Sequence, residues 1–144
     1  MKVGISDEEL SAYFALRHAA DRLERAVTRQ LKSHNLTEVQ FSILAQLGSR
    51  PAGVGMGDLA RELVVTKSGL TYQAGQLENR GLIVRETSGT DERAVLLRLT
   101  PEGRTLLAEA MPAHIELVRE LFLDRATPEQ MSTLRSVLEQ VASA

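Results

Sequence analysis

At 144 residues, 43% apolar and 3% aromatic, the chain can bury one compact core, and its Leu, Val and Ala bias favours helix packed on helix. The absence of cysteine excludes disulfides, thiolate metal sites and a cysteine redox switch. A net charge of -2 gives no general attraction for nucleic acid, but the charge is uneven: residues 61–104 hold seven basic and six acidic groups, whereas from Thr105 onward acids lead six to three.

No apolar run approaches the roughly 18 residues of a membrane span, and the N-terminal segment lacks the apolar stretch of a secretion signal. The expectation is a soluble, cytoplasmic chain with no membrane partner. Capping signals divide it clearly. Ser6 and Glu9 form a capping box, with Ile5 and Leu10 placed as its hydrophobic staple. Behind it Leu16, Ala19, Leu23, Val27 and Leu31 recur at helical spacing. Thr37 and Gln40 open a second helix, which carries Phe41, Leu44 and Leu47 and stops near Gly48.

The next stretch, PAGVGMGDLAREL, alternates three glycines, Gly53, Gly55 and Gly57. A phosphate-cradling loop needs a strand before the glycines and a βαβ unit around them. Here a helix precedes them and no Lys-Ser/Thr follows. The spacing instead predicts a short third strand through Val54 and Met56, with Gly57 capping a helix over 58–63 whose inward residues are Leu59, Ala60 and Leu63. Val64 and Val65 make a turn, and Thr66 is the candidate N-cap of a helix over 67–80. Its inward stripe is Leu70, Ala74 and Leu77, and Gly81 is its C′ residue.

The segments LIVRE and AVLLRL are β-rich and flank TSGTDER, so they read as a hairpin with a polar tip that carries Arg93 on an exposed loop. Thr100 and Pro101 then cap a long helix to about Leu123, in which Pro112 should kink or break the course. Thr127 and Gln130 form a third capping box, with Pro128 at the first helical position. The last helix carries Met131, Leu134, Val137, Leu138 and Val141. The fold class is mainly α with a small β-wing: a helix-turn-helix followed at once by a two-stranded wing is a winged helix.

On the 67–80 helix the face opposite Leu70 and Leu77 carries Ser68, Tyr72, Gly75, Gln76 and Asn79, with Thr71 at its edge. Hydrogen-bonding side chains on a solvent face suit base edges in a major groove, and equally suit an ordinary polar surface. Arg93 at the wing can enter a minor groove, where the potential is strongly negative, with Asp91 holding it by a charge-assisted bond. The plain alternative is a polar turn with a local ion pair.

The stretches LTEVQFSILAQL, LARELVVTKSGLTYQAGQLENRGLIVRE, DER and LRLTPEGRTLL resemble the MarR (multiple antibiotic resistance regulator) family of bacterial transcription factors, over about residues 10–141. The resemblance implies a single MarR-type domain over 1–144, a winged helix-turn-helix over 36–100 flanked by dimerisation helices over 5–34 and 101–143. It implies a homodimer on double-stranded DNA at a pseudo-palindromic operator, acting as a repressor released by a small-molecule effector. Carried over by position, the recognition helix is 67–80, with Ser68, Thr71, Tyr72 and Gln76 facing DNA. Asp91 and Arg93 are the wing pair. Lys67, Arg85 and Arg93 are expected at phosphates. The family often has basic residues at Tyr72 and Gln76 and Asp-Arg-Arg at 91–93, so weaker phosphate anchoring or an unusual operator is expected here.

The apolar stripes in 5–34 and 101–143 exceed what one small winged helix covers, so a partner subunit is expected to bury the remainder. The family's effectors are often small and aromatic, and in this chain Tyr13, His18 and Phe41 are the candidate pocket residues, Phe41 also being suited to the core. His18 and Asp21 share a helix face but lack third and fourth ligands at useful spacing, so no metal and no cofactor is expected. Nothing in the sequence supports an enzyme. The alternative reading is a winged-helix module for protein association without DNA binding.

Overall fold

The computed structural model of the chain describes residues 4–88 and 91–144, without the side chains of 88 and 91–93. The elements run α1 (Asp7–Lys32), α2 (Glu38–Gly48), β1 (Val54–Gly55), α3 (Met56–Leu63), α4 (Lys67–Asn79), β2 (Ile83–Ser88), β3 (Asp91–Leu99), α5 (Pro101–Leu121), a 3-10 turn (Leu123–Arg125) and α6 (Pro128–Ser143). They divide into two compact units, 1–27 with 113–144, and 28–112. The end of α1 and the first half of α5 thus pack with the winged helix: Leu31 and Ala110 are fully buried.

All three capping boxes form. Ser6 N–H donates to the Glu9 carboxylate at 3.0 Å, and Glu9 N–H donates back to the Ser6 hydroxyl at 3.0 Å. Hydrogen bonding to the carboxylate from Ser6, from its backbone N–H first and its side chain second, holds the Glu9 carboxyl below its usual range. Thr37 with Gln40 and Thr127 with Gln130 repeat the arrangement at α2 and α6. Each box satisfies two backbone donors that the first helical turn leaves orphaned.

Unit 28–112 carries the core. Leu31, Ile43, Leu44, Leu47, Leu59, Leu70, Leu77, Ile83 and Leu97 are its largest fully buried side chains. Each stabilises the fold by about 1.5–3 kcal/mol through burial. The sheet order is β1-β3-β2, antiparallel throughout, with Val54 opposite Leu97 and Ile83 opposite Leu99. Ile83 points into the core and Val84 out of it, and the pairing is irregular between Thr87 and Ser88.

Three local expectations change. The third strand is Val54–Gly55, and Met56 already belongs to α3, so Gly55 and not Gly57 is the N-cap. Polar residues 91–93 belong to the backbone of β3 instead of a tip loop, because the register carries pairing as far as Ser88 with Asp91. Of the kink or break expected at Pro112, the break does not occur: helix α5 runs on to Leu121, and the ring costs one backbone bond.

The ends of α4 and α3 share one device. Gly81, at φ 73°, donates to the Glu78 carbonyl while Leu82 N–H donates to the Leu77 carbonyl, which closes α4. At the end of α3 the same pair of bonds runs from Val64 to Arg61 and from Val65 to Ala60, but the left-handed position, φ 55°, is held by a β-branched valine. Helix α5 is locked to this region by Thr100, whose hydroxyl donates to the Gly81 carbonyl at 2.7 Å and accepts from Gly103 N–H at 3.0 Å. A Cβ on Gly103 would run into the Leu82 carbonyl oxygen, so glycine lets α5 lie directly on the chain entering β2.

Candidate nucleic-acid interface

Helix α4 is built to keep one face in and the other out. Leu70, Ala74 and Leu77 are fully buried. Ser68, Thr71, Tyr72 and Gln76 are exposed, Tyr72 at 65%. Thr66 caps the helix by accepting from Gly69 N–H at 3.0 Å. The first turn of α4 carries no acidic residue, so the positive end of its dipole faces solvent beside Lys67. That combination attracts anions.

The outward side chains differ in what they can offer. The Thr71 hydroxyl donates to the Lys67 carbonyl at 2.7 Å, which leaves its methyl and oxygen lone pairs for a partner. Ser68 lies 3.3 Å from the Thr66 hydroxyl. Gln76 stands exposed, and its side-chain amide is suited to a bidentate pair with adenine. A Cβ added at Gly75 would meet nothing within 4 Å, so packing does not require that glycine.

The cations divide into two groups. Arg80 donates to the Asn35 carbonyl at 2.7 Å, and Arg98 binds Glu86 and the Ala52 carbonyl, so both tie elements together. Arg85 stands 3.8 Å from the Glu78 carboxylate on a partly exposed stem. Lys67 forms no ion pair among the described residues. Lys67, Thr71 and Arg85 line one cleft, so three of the expected positions converge. Asp91 and Arg93 lie in the backbone of β3, but their side chains, and so the expected wing pair, lie outside the described residues.

A buried amide positions this helix. Gln40, 8% exposed, closes the α2 capping box through its Oε1 and donates through Nε2 to the Gln73 Oε1 at 3.1 Å. Sequence spacing marks Gln40 only as a capping residue. Its second bond spans 33 positions, and nothing local signals it.

The effector candidates separate. Tyr13 and His18 lie exposed on α1 in the unit of residues 1–27 and 113–144, and Phe14, absent from the expected pocket residues, links them: its ring centroid is 5.7 Å from Tyr13 and 6.5 Å from His18. Arg17 stands 5.7 Å from the Tyr13 ring centre. Phe41, 5% exposed, sits in the core of the other unit. Asp21 pairs with Arg25 at 3.1 Å. No helix among the described residues is long and apolar enough to cross a membrane.

Comparison with known proteins places this geometry among relatives. Residues 34–94 match the model of the MarR family. The chain is 31% identical over 110 residues to the transcriptional regulator HosA of Escherichia coli O111:H-, covering 76% of this chain and 80% of that protein. It is 32% identical over 110 residues to the homoprotocatechuate degradative operon repressor of Escherichia coli, covering 76% and 73%. Among solved structures it resembles Sco3205, a MarR family transcriptional regulator from Streptomyces coelicolor in complex with DNA, at TM-score 0.92 and 30% identity over 99% of this chain and 90% of that one.

Proposed function

This chain belongs to the MarR family, and we propose on that premise that it is a sequence-specific DNA-binding regulator, a homodimeric repressor that a small aromatic effector releases from a pseudo-palindromic operator. The observation that carries the reading is the outward face of α4: Ser68, Thr71, Tyr72 and Gln76 stand exposed on a helix whose opposite stripe is fully buried, with Lys67 and Arg85 flanking it. The first set specifies the site at base edges, and the two cations, with Arg93 of the wing, position the protein on phosphates. Regulation and not catalysis is the role, exercised in the cytoplasm where the operator lies.

Dimerisation rests on the other unit. Leu10, Tyr13, Phe14 and Leu16 on α1, Ile115 on α5, and Val137 and Val141 on α6 are all at least 39% exposed. Apolar surface of that extent on helices calls for a second copy, and a two-fold pair of reading heads calls for a palindrome. The aromatic strip Tyr13, Phe14 and His18 gives an effector a stacking surface.

Selection of bound duplexes from a random library, with purified protein at physiological salt, tests the proposal. The expected result is an enriched palindrome with half-sites about 10 base pairs apart. Failure to enrich any sequence, with ligand-stripped protein as well, would refute it.

A further inference from the structure

A cleft of about 360 Å³ opens between α3, the start of α4 and the sheet, and its lining includes Gly55, Gly57, Asp58, Arg61, Lys67 and Arg85. Arg61 belongs to α3, outside both the reading helix and the wing. Gly57 brings it towards Lys67: a Cβ on Gly57 would stand 3.8 Å from Arg61 Nη1 and 3.8 Å from Lys67 Cε. Cations from two helices therefore converge over one glycine that contributes no side chain. A carboxylate is already among them, since Asp58 accepts a hydrogen bond from the Arg61 guanidinium. Arg61 and Asp58 are 73% and 63% exposed, and an ion pair so exposed holds its partners only weakly. A guanidinium also fits phosphate by the same two-pronged geometry that it offers a carboxylate.

We infer that this cleft seats one backbone phosphate of the bound duplex, with Arg61 as its third cation beside Lys67 and Arg85, and that Asp58 occupies Arg61 in the free protein as an internal substitute for that phosphate. The inference rests on the DNA-binding reading above. Binding exchanges one anion for another on Arg61: the Asp58 carboxylate leaves, the phosphate enters, and a condensed counterion is released from the DNA. Asp58 thereby tunes affinity without touching a base.

The test measures the affinity of the library-selected duplex against salt for wild type, Arg61→Ala, Arg61→Lys and Asp58→Asn. One lost phosphate contact lowers the log–log salt slope by about 0.9, which corresponds to about fivefold weaker binding at about 0.15 M salt. Arg61→Ala is expected to show both changes, equally on the selected duplex and on an unrelated duplex of the same length. Arg61→Lys should restore the slope, and Asp58→Asn should bind more tightly than wild type. Thermal melts of each variant separate these effects from loss of folding. Unchanged slope and affinity for Arg61→Ala, in a protein whose wild type binds the selected duplex, overturn this inference and leave the DNA-binding reading standing. Absence of any wild-type binding overturns the broader reading instead. Inorganic phosphate titrated at constant ionic strength distinguishes a free anion as occupant: phosphate that binds the free protein through Arg61 without competing with duplex also overturns the inference.

Discussion

Replacing Val64 by glycine should stabilise the protein, although it removes an apolar side chain. Val64 adopts φ 55°, ψ 49° at the end of α3, and its side chain is 90% exposed. The left-handed region costs an L-residue about 1–2 kcal/mol because Cβ crowds the carbonyl oxygen, and a β-branched residue is poorly suited to it. Glycine removes that cost but adds about 0.4–1 kcal/mol of backbone entropy to the unfolded chain. At 90% exposure the valine has almost no burial to lose. The balance is a gain of about 0.5–1 kcal/mol, or roughly 1–4 °C in Tm. Asparagine, which visits this region readily, should gain at least as much without the entropy term. The α1–α2 turn supplies an internal control: Asn35 holds φ 55° there with the same bonding pattern, Asn35 N–H to the Lys32 carbonyl and Leu36 N–H to the Leu31 carbonyl. Asn35→Val should lose what Val64→Asn gains. Urea unfolding at one fixed protein concentration, which removes any mass-action effect of dimerisation, is the assay. If Val64→Gly and Val64→Asn both destabilise the protein, the strain argument is refuted.

Gly103→Ala should destabilise by about 1–3 kcal/mol, because the added methyl meets the Leu82 carbonyl and, at 2.8 Å, the Leu99 Cδ1; a thermal melt reads it. Gly75→Ala should stabilise α4 by about 1 kcal/mol, since the site is open; a simultaneous loss of duplex affinity would show that DNA approaches the helix backbone there. Gln40→Leu removes both the capping-box acceptor and the donor to Gln73, and is expected to cost about 1–3 kcal/mol in urea unfolding. Glu62 accepts two bonds from Arg50, which hold its carboxyl below the ordinary value of 4.5. A depressed carboxyl contributes stability above its unfolded pKa and loses it as pH falls through the folded one. The stability difference between wild type and Glu62→Gln should therefore be constant above about pH 5 and shrink on acidification; a difference that grew there would reverse the sign.

The sequence alone determined the elements and most of what each one buries. The capping boxes at Ser6, Thr37 and Thr127 are local: four residues contain both partners, so spacing suffices to find them. The stripe Leu70, Ala74 and Leu77 follows from helical period alone, and with it the outward face that bears Ser68, Thr71, Tyr72 and Gln76. Tertiary structure decided what depends on residues far apart in the chain. Whether the strand after α2 ends at Gly55 or Met56 is settled by its pairing with Leu96 and Leu97, and pairing with β2 draws residues 91–93 into β3. The helix carries through Pro112 because the break that proline imposes is confined to one backbone bond, which local sequence cannot weigh against the rest of α5. Gln40 reaches Gln73, and Arg61 meets Lys67 over Gly57, only once two helices are packed. Those contacts carry no period and no motif, since the distance they close is spatial and the sequence records only separation along the chain.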